Sequence, residues 1–228
     1  MIVDFSKVVE LSHRMIPGRE NFQLDINVRD VTEYLPNVIH RPEIWYVLTD
    51  INMNSHMGTH IEFPYHHWKS GVTGADFPLT QLIGNAIVLD FSHKKKDEWI
   101  SLEDVMTYEG QIHEGDIIFI RTDMDQYFRE TNWTDEVHMK EEAVDWLLTF
   151  KPKVIGTDAT GFEVPNTDYQ PNHLKLFSSG VGMIESACNL RSIQGKKTLV
   201  FILALPIEGI DACPVRIIGV TEGGIINE

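Results

Sequence analysis

The sequence predicts one domain of the α+β class, with a mixed β-sheet or barrel-like set of strands and flanking helices. Three observations carry this expectation. Short β-branched and apolar runs recur throughout the 228 residues, as strands do. Helical patterns are fewer and do not alternate regularly with those runs, which argues against a doubly wound parallel sheet. No repeat, low-complexity tract or linker-sized Gly/Pro segment divides the chain, so residues 1–228 read as a single unit. With 43% apolar and 23% charged residues, the chain has the composition of a self-folding globular protein.

In chain order, the N-terminus lacks a basic start followed by an apolar run, and Asp4 stands where a signal peptide is hydrophobic. A cytoplasmic protein is expected. Strands are predicted at residues 43–52, 86–91, 116–121, 153–157, 199–205 and 215–220. One helix is expected to start at Ser101, which forms a capping pair with Asp104, and to end near Gly110. A second covers residues 137–150, where Met139, Ala143, Leu147 and Phe150 repeat at three- and four-residue spacing. A short third helix follows Asn172 as N-cap and stops at Gly180, a residue suited to a left-handed C-terminal position.

The formal net charge of −15 repels phosphate backbones and anionic lipid headgroups, so neither nucleic acid nor a membrane is expected as partner. The apolar run before Pro206 is only about ten residues long, too short to cross a bilayer. Cys188 and Cys213 form no Cys-x-x-Cys pattern and read as free thiols.

Chemistry concentrates in the stretch from His56 to His66. His56, Gly58, His60, Glu62, Pro64 and His66 share one parity, so an extended segment projects His56, His60 and Glu62 from the same face. A helix would throw Glu62 off that face, and Gly58 and Pro64 both oppose one. Gly58 is expected to clear the space beside a metal, and Pro64 to end strand pairing so that His66 folds back over the site. Two neutral imidazoles and a carboxylate suit Zn²⁺, Mn²⁺ or Fe²⁺ and leave positions open for water and substrate. His13, His40, His93, His113 and His138 read as ordinary surface or core histidines, while His67 has the opposite parity.

These residues resemble the signature His-x-Gly-Thr-His-x-Asp-x-Pro-x-His of the cyclase-like metal-dependent hydrolases, the family that includes bacterial kynurenine formamidase and isatin hydrolase. Glu62 stands where the signature has aspartate. The resemblance extends through Gly180 to Glu185, Asn189-Leu190, the opening element at Leu11-Ser12-His13 and the closing element from Pro206 to Arg216. It implies a swivelling β/β/α fold, a homodimer or higher homo-oligomer, metal ligation by His56, His60 and Glu62, and proton transfer by His66. It also implies that His173 and Glu185 complete a second metal position. The extra methylene of Glu62 leaves one or two ions, Zn or Mn, as alternatives.

The function expected is hydrolysis of a small amide, formamide or lactam by metal-activated water, with His66 passing a proton to the leaving nitrogen. Phe63, Tyr65, Trp68 and Phe162 are candidates for an aromatic-accepting pocket, and Asp158 for a site-facing loop. The competing class is a non-catalytic metal-dependent small-molecule binding protein. A zinc peptidase is disfavoured because no His-Glu-x-x-His motif is present.

Overall fold

The structure is a computed structural model describing residues 2–39 and 41–226. Its strands are β1 (Ile2–Val3), β2 (Val8–Glu10), β3 (Leu24–Asp30), β4 (Val47–Met53), β5 (His60–Glu62), β6 (Ile83–Asp90), β7 (Trp99–Ile100), β8 (Ile117–Arg121), β9 (His138–Met139), β10 (Val154–Thr157), β11 (Gly182–Glu185), β12 (Thr198–Leu203), β13 (Ala212–Pro214), β14 (Arg216–Thr221) and β15 (Ile225–Ile226). The helices are α1 (Leu102–Met106), α2 (Glu141–Leu148) and α3 (Pro171–Ser178).

Nine strands form one curled mixed sheet in the order β13-β5-β11-β10-β8-β6-β12-β14-β2. Its centre, β6, β8, β10 and β11, is parallel. Parallel neighbours need long crossovers, and α1, α2 and α3 lie in the three that join these strands in sequence. Strand and helix therefore do alternate across this block. The three helices and the strands β6, β8 and β10 lie near predicted segments, whereas four-residue β11, which completes the block, was not predicted. The class remains mixed because β5 and β13 on one side, and β12, β14 and β2 on the other, join antiparallel.

The two faces of the sheet are separated by strand periodicity. Ile118, Ile120, Ile155 and Met183 pack beneath Val105 of α1, Ala143, Val144 and Leu147 of α2, and Leu176 and Phe177 of α3. The intervening Ile117, Phe119, Val154 and Ile184 face a second cluster with Leu11, Ile61, Phe63, Phe77, Val200 and Ile217. Burying each such side chain contributes about 1.5–3 kcal/mol, so the four buried apolar residues of β8, Ile117 to Ile120, fix the centre of the sheet.

Ser101 and Asp104 form the reciprocal capping box expected of α1. The second helix begins only at Glu141, because His138 and Met139 form a two-stranded pair with β7. Asn172 lies inside α3 rather than capping it, and its side-chain amide donates to the carbonyls of Met139 and Phe162. Gly180 adopts φ +74°, as a helix-terminating glycine should. The strand predicted at residues 43–52 is β4, which pairs with β3 in a hairpin outside the main sheet. Among the described residues, no helix is long and apolar enough to cross a membrane.

Candidate metal centre and its cavity

Strand β5 places the site. It runs between β11 and β13, with His60 opposite Glu185 and Pro214, and Glu62 opposite Met183 and Ala212. The backbone N–H of Phe63 donates to the carbonyl of Asp211 at 2.8 Å, which brings that residue alongside. Helix α3 carries His173 in its first turn, with its backbone N–H and that of Asn172 donating to the Glu163 carboxylate.

The His56–Glu62 segment is not one extended strand. Only His60 to Glu62 are in β5, whereas His56 sits in a turn and Gly58 has φ +60°. His56 reaches the others because the chain bends at Gly58. A Cβ on Gly58 would lie 3.2 Å from Cγ of Met15, so this glycine provides a left-handed bend and room for Met15 rather than space for an ion. Pro64 does end the strand, starting a single tight turn over Pro64–His66 that folds His66 back.

The residues converge on Glu62, whose side chain is 3% exposed. Its Oε1 lies 2.9 Å from Nδ1 of His56, 3.6 Å from Nε2 of His60 and 3.6 Å from Nε2 of His66. Nδ1 of His56 and Nε2 of His60 are 3.2 Å apart. Glu62 Oε2 faces Nε2 of His173 at 3.6 Å, and that nitrogen is 3.5 Å from Oε1 of Glu185. The two carboxylate oxygens of Glu62 thus belong to two different ligand triads, His56-His60-Glu62 and Glu62-His173-Glu185. Donor atoms of a tetrahedral ion at about 2.0–2.1 Å bond length stand roughly 3.3 Å apart, close to these separations.

The outer nitrogen of each imidazole is tied to an oxygen. Nε2 of His56 and Nδ1 of His66 donate to Oδ2 of Asp211 at 2.9 and 3.0 Å, Nδ1 of His60 to the carbonyl of Gly58 at 3.0 Å, and Nδ1 of His173 to Oε2 of Glu163 at 2.8 Å. Each inner nitrogen is therefore turned toward Glu62, the usual arrangement of metal-binding histidines. Glu62 Oε2 is buried without a hydrogen-bond partner, which is costly for a carboxylate unless a cation satisfies it. On both counts the residues fit a divalent metal.

Electrostatics agree. Burial disfavours a charged imidazole, but hydrogen bonds to Glu62 and Asp211 outweigh it and raise His56 to about 9. His173 is raised to about 10, with Glu163 and Glu185 overcoming its burial. Burial also pushes up Glu62, yet His56, His60 and His173 hold it well below the usual carboxylate range. Glu185 is raised by burial and by the neighbouring charge of Glu62, while His56, Ser55 and His66 hold Asp211 at about 2 against its burial. A binding cation would replace the protons on the inner nitrogens.

A narrow cleft open to solvent adjoins the first triad, lined by His56, His60 and Glu185 together with Phe22, Met57, Phe128 and Trp133. Glu20, Asn21, Thr160 and Ser186 add polar groups to its wall, and none of Phe63, Tyr65, Trp68 and Phe162 lines it. Phe63 and Phe162 are fully buried core side chains, and Tyr65 and Trp68 stand partly exposed away from the cavity. Asp158 is also buried, its carboxylate accepting from the Thr122 and Asp123 N–H groups and the Thr122 hydroxyl. Burial nevertheless raises it to about 7. It braces a turn and does not line the cavity.

Phe22, Phe128 and Trp133 escape detection in sequence because they lie on irregular segments without periodicity. Asp211, within the closing element, was legible only as an acidic residue between Ile210 and Ala212, and nothing local marks Glu163. His13, His93, His113 and His138 stay outside the metal-ligand groups found among the described residues. His40 lies outside the described residues.

The family described as putative cyclase matches residues 9–164. Kynurenine formamidase of Salinibacter ruber is 23% identical over 216 residues, covering 94% of this chain and 95% of the relative. An isatin hydrolase solved with the product analogue thioisatinate superposes with a TM-score of 0.78 at 18% identity, covering 93% and 91% of the two chains. A potential metal-dependent hydrolase with cyclase activity gives a TM-score of 0.74 at 25% identity over 93% and 96%.

Proposed function

The chain belongs to the cyclase family, and from that premise we propose that it is a metal-dependent amidohydrolase acting on a small non-peptide amide, formamide or lactam. The observation that carries this reading is Glu62: a buried carboxylate with an orphaned oxygen, ringed by His56, His60, His173 and Glu185, with His66 at its edge. The names of the relatives, kynurenine formamidase and isatin hydrolase, support C–N bond hydrolysis.

His56, His60, Glu62, His173 and Glu185 would hold Zn or Mn. Because each oxygen of Glu62 faces a separate triad, His56, His60 and Glu62 would hold one ion, and Glu62, His173 and Glu185 would hold a second. A divalent ion supplies a Lewis acid for the scissile carbonyl and lowers the pKa of coordinated water toward about 7. His66, with Nε2 directed toward Glu62, carries a proton to the leaving nitrogen, so that amide and water become carboxylate and amine. Phe22, Phe128, Met57 and Trp133 receive the apolar part of the substrate and exclude bulk water.

Self-association is part of the same proposal. One face of the β3–β4 hairpin aligns Ile26 with Ile51 and Val28 with Thr49, leaving Ile26, Val28 and Ile51 47%, 51% and 61% exposed. An isolated two-stranded ribbon is marginal, and a second copy covering this face would stabilise it.

The deciding experiment measures the metal content of the purified protein and then its turnover of formamides, lactams and lactones with Zn or Mn restored. Turnover of an amide or lactam with metal at both positions is expected. Tightly bound metal without hydrolysis across that panel would instead establish a binding protein.

A further inference from the structure

Asp211 is the acidic residue that joins two histidines of different proposed roles. Its Oδ2 accepts from Nε2 of His56 at 2.9 Å and from Nδ1 of His66 at 3.0 Å, while its Oδ1 accepts from the Ser55 hydroxyl at 3.0 Å. Its backbone is fixed separately, through the Phe63 N–H bond to its carbonyl and the pairing of β13 with β5. The carboxylate is therefore held from both sides in one orientation. The His56 and His66 rings lie 4.6 Å apart between centroids and tilt by 51°, so both address the same oxygen.

We propose that Asp211 is a positioning residue that holds His66 in the tautomer protonated at Nδ1, with Ser55 steadying the carboxylate. A neutral imidazole has one N–H and one lone pair, and a carboxylate only accepts. The nitrogen facing Asp211 must therefore carry hydrogen, which leaves the lone pair on Nε2. That nitrogen is 3.6 Å from Glu62 Oε1, beyond hydrogen-bond reach but directed into the ligand cluster. With the opposite tautomer, the Nδ1 lone pair would face Asp211 and the N–H would point at the cluster, unable to take up a proton there.

Replacing the carboxylate by an amide tests this geometry with little change in volume. In Asp211→Asn the side-chain NH₂ could turn toward His66, but then His66 Nδ1 would have to accept. The inference rests on His66 being the proton carrier of the proposed hydrolase, so the test includes readouts that require no substrate.

In the Zn-loaded protein labelled with ¹⁵N-histidine, long-range ¹H–¹⁵N correlation spectra identify each tautomer, and the signals missing from His66→Gln assign His66. The expected result is an Nδ1–H tautomer in the wild type and its loss in Asp211→Asn. Zinc content should remain within error of the wild type, and kcat should fall about 10- to 100-fold with KM changed less than about twofold. Ser55→Ala should change both tautomer and kcat in the same direction, but less. An unchanged His66 tautomer in Asp211→Asn overturns the proposal. So does loss of zinc, which would place the role of Asp211 in ligation through His56, and so does a rise in KM at constant kcat. If no amide is hydrolysed but the tautomer changes as stated, the hydrolase reading fails while the positioning of His66 by Asp211 stands.

Discussion

Oε2 of Glu62 lies 3.6 Å from Nε2 of His173, although one residue is on strand β5 and the other opens helix α3. This contact joins the two ligand triads, because Oε1 of the same carboxylate faces His56 and His60. Removing it should affect both. Glu62→Ala is expected to lose metal from both positions and at least about 10³-fold in kcat/KM, the scale of a lost catalytic metal. Glu62→Asp shortens the reach by one methylene and should retain metal in one triad only. Elemental analysis distinguishes these results, and full occupancy of both positions in Glu62→Ala would disprove the shared role.

His66 groups with His56 and Asp211 rather than with either triad centred on Glu62, and its Nδ1 is bound to Asp211. His66→Ala should therefore keep its metal and lose about 10²- to 10⁴-fold in kcat. Steady-state kinetics with parallel metal analysis provide the check. Wild-type turnover in this variant would remove His66 from proton transfer.

Glu163 accepts from Nδ1 of His173 at 2.8 Å and from two backbone N–H groups of α3. Glu163→Gln retains the size of the side chain but weakens the acceptor. Metal affinity, measured by competition with a chromophoric chelator, should fall about 10- to 100-fold. An unchanged affinity would limit Glu163 to anchoring the helix.

The His13 ring stacks on Phe128 at 3.9 Å, and burial holds its pKa at about 4. The unfolded chain takes up this proton near pH 6.5, so the contribution to stability is fully present above that pH and is lost as pH falls from about 6.5 to 4. Allowing for partial exposure, the loss is up to about 2 kcal/mol. Urea unfolding at pH 7 and 4.5 should show a smaller pH dependence for His13→Phe than for the wild type. Equal dependence would indicate that this histidine is not held neutral.

Ile26 and Ile51 face each other across the β3–β4 hairpin with both side chains exposed. The double substitution Ile26→Lys and Ile51→Lys should shift the protein toward monomer in sedimentation velocity without altering the sheet signal in circular dichroism. An oligomer of unchanged size would place the interface elsewhere.

Much of the sheet was legible because its central strands are buried on both faces. Continuous apolar runs such as Ile117 to Ile120 have few other uses. Strands β5, β11 and β13, which carry or frame the site, have only three or four residues each. Such segments contain too few side chains to establish a period. The ligand types at His56, His60 and Glu62 were likewise visible, but the bend that unites them was not, since Gly58 is equally compatible with an extended chain and with φ +60°.

What the sequence determined by itself was the donor chemistry: imidazoles and a carboxylate at short spacing, and a further histidine, His66, just beyond Pro64. Tertiary structure decided which distant groups meet them. Glu163, Asp211, Phe22, Phe128 and Trp133 come together through strand register, the start of α3 and loop paths. Hydrogen-bond register and core packing act between segments far apart in the chain, so no local pattern records them. Asp211 reaches His56 and His66 only because β13 pairs with β5.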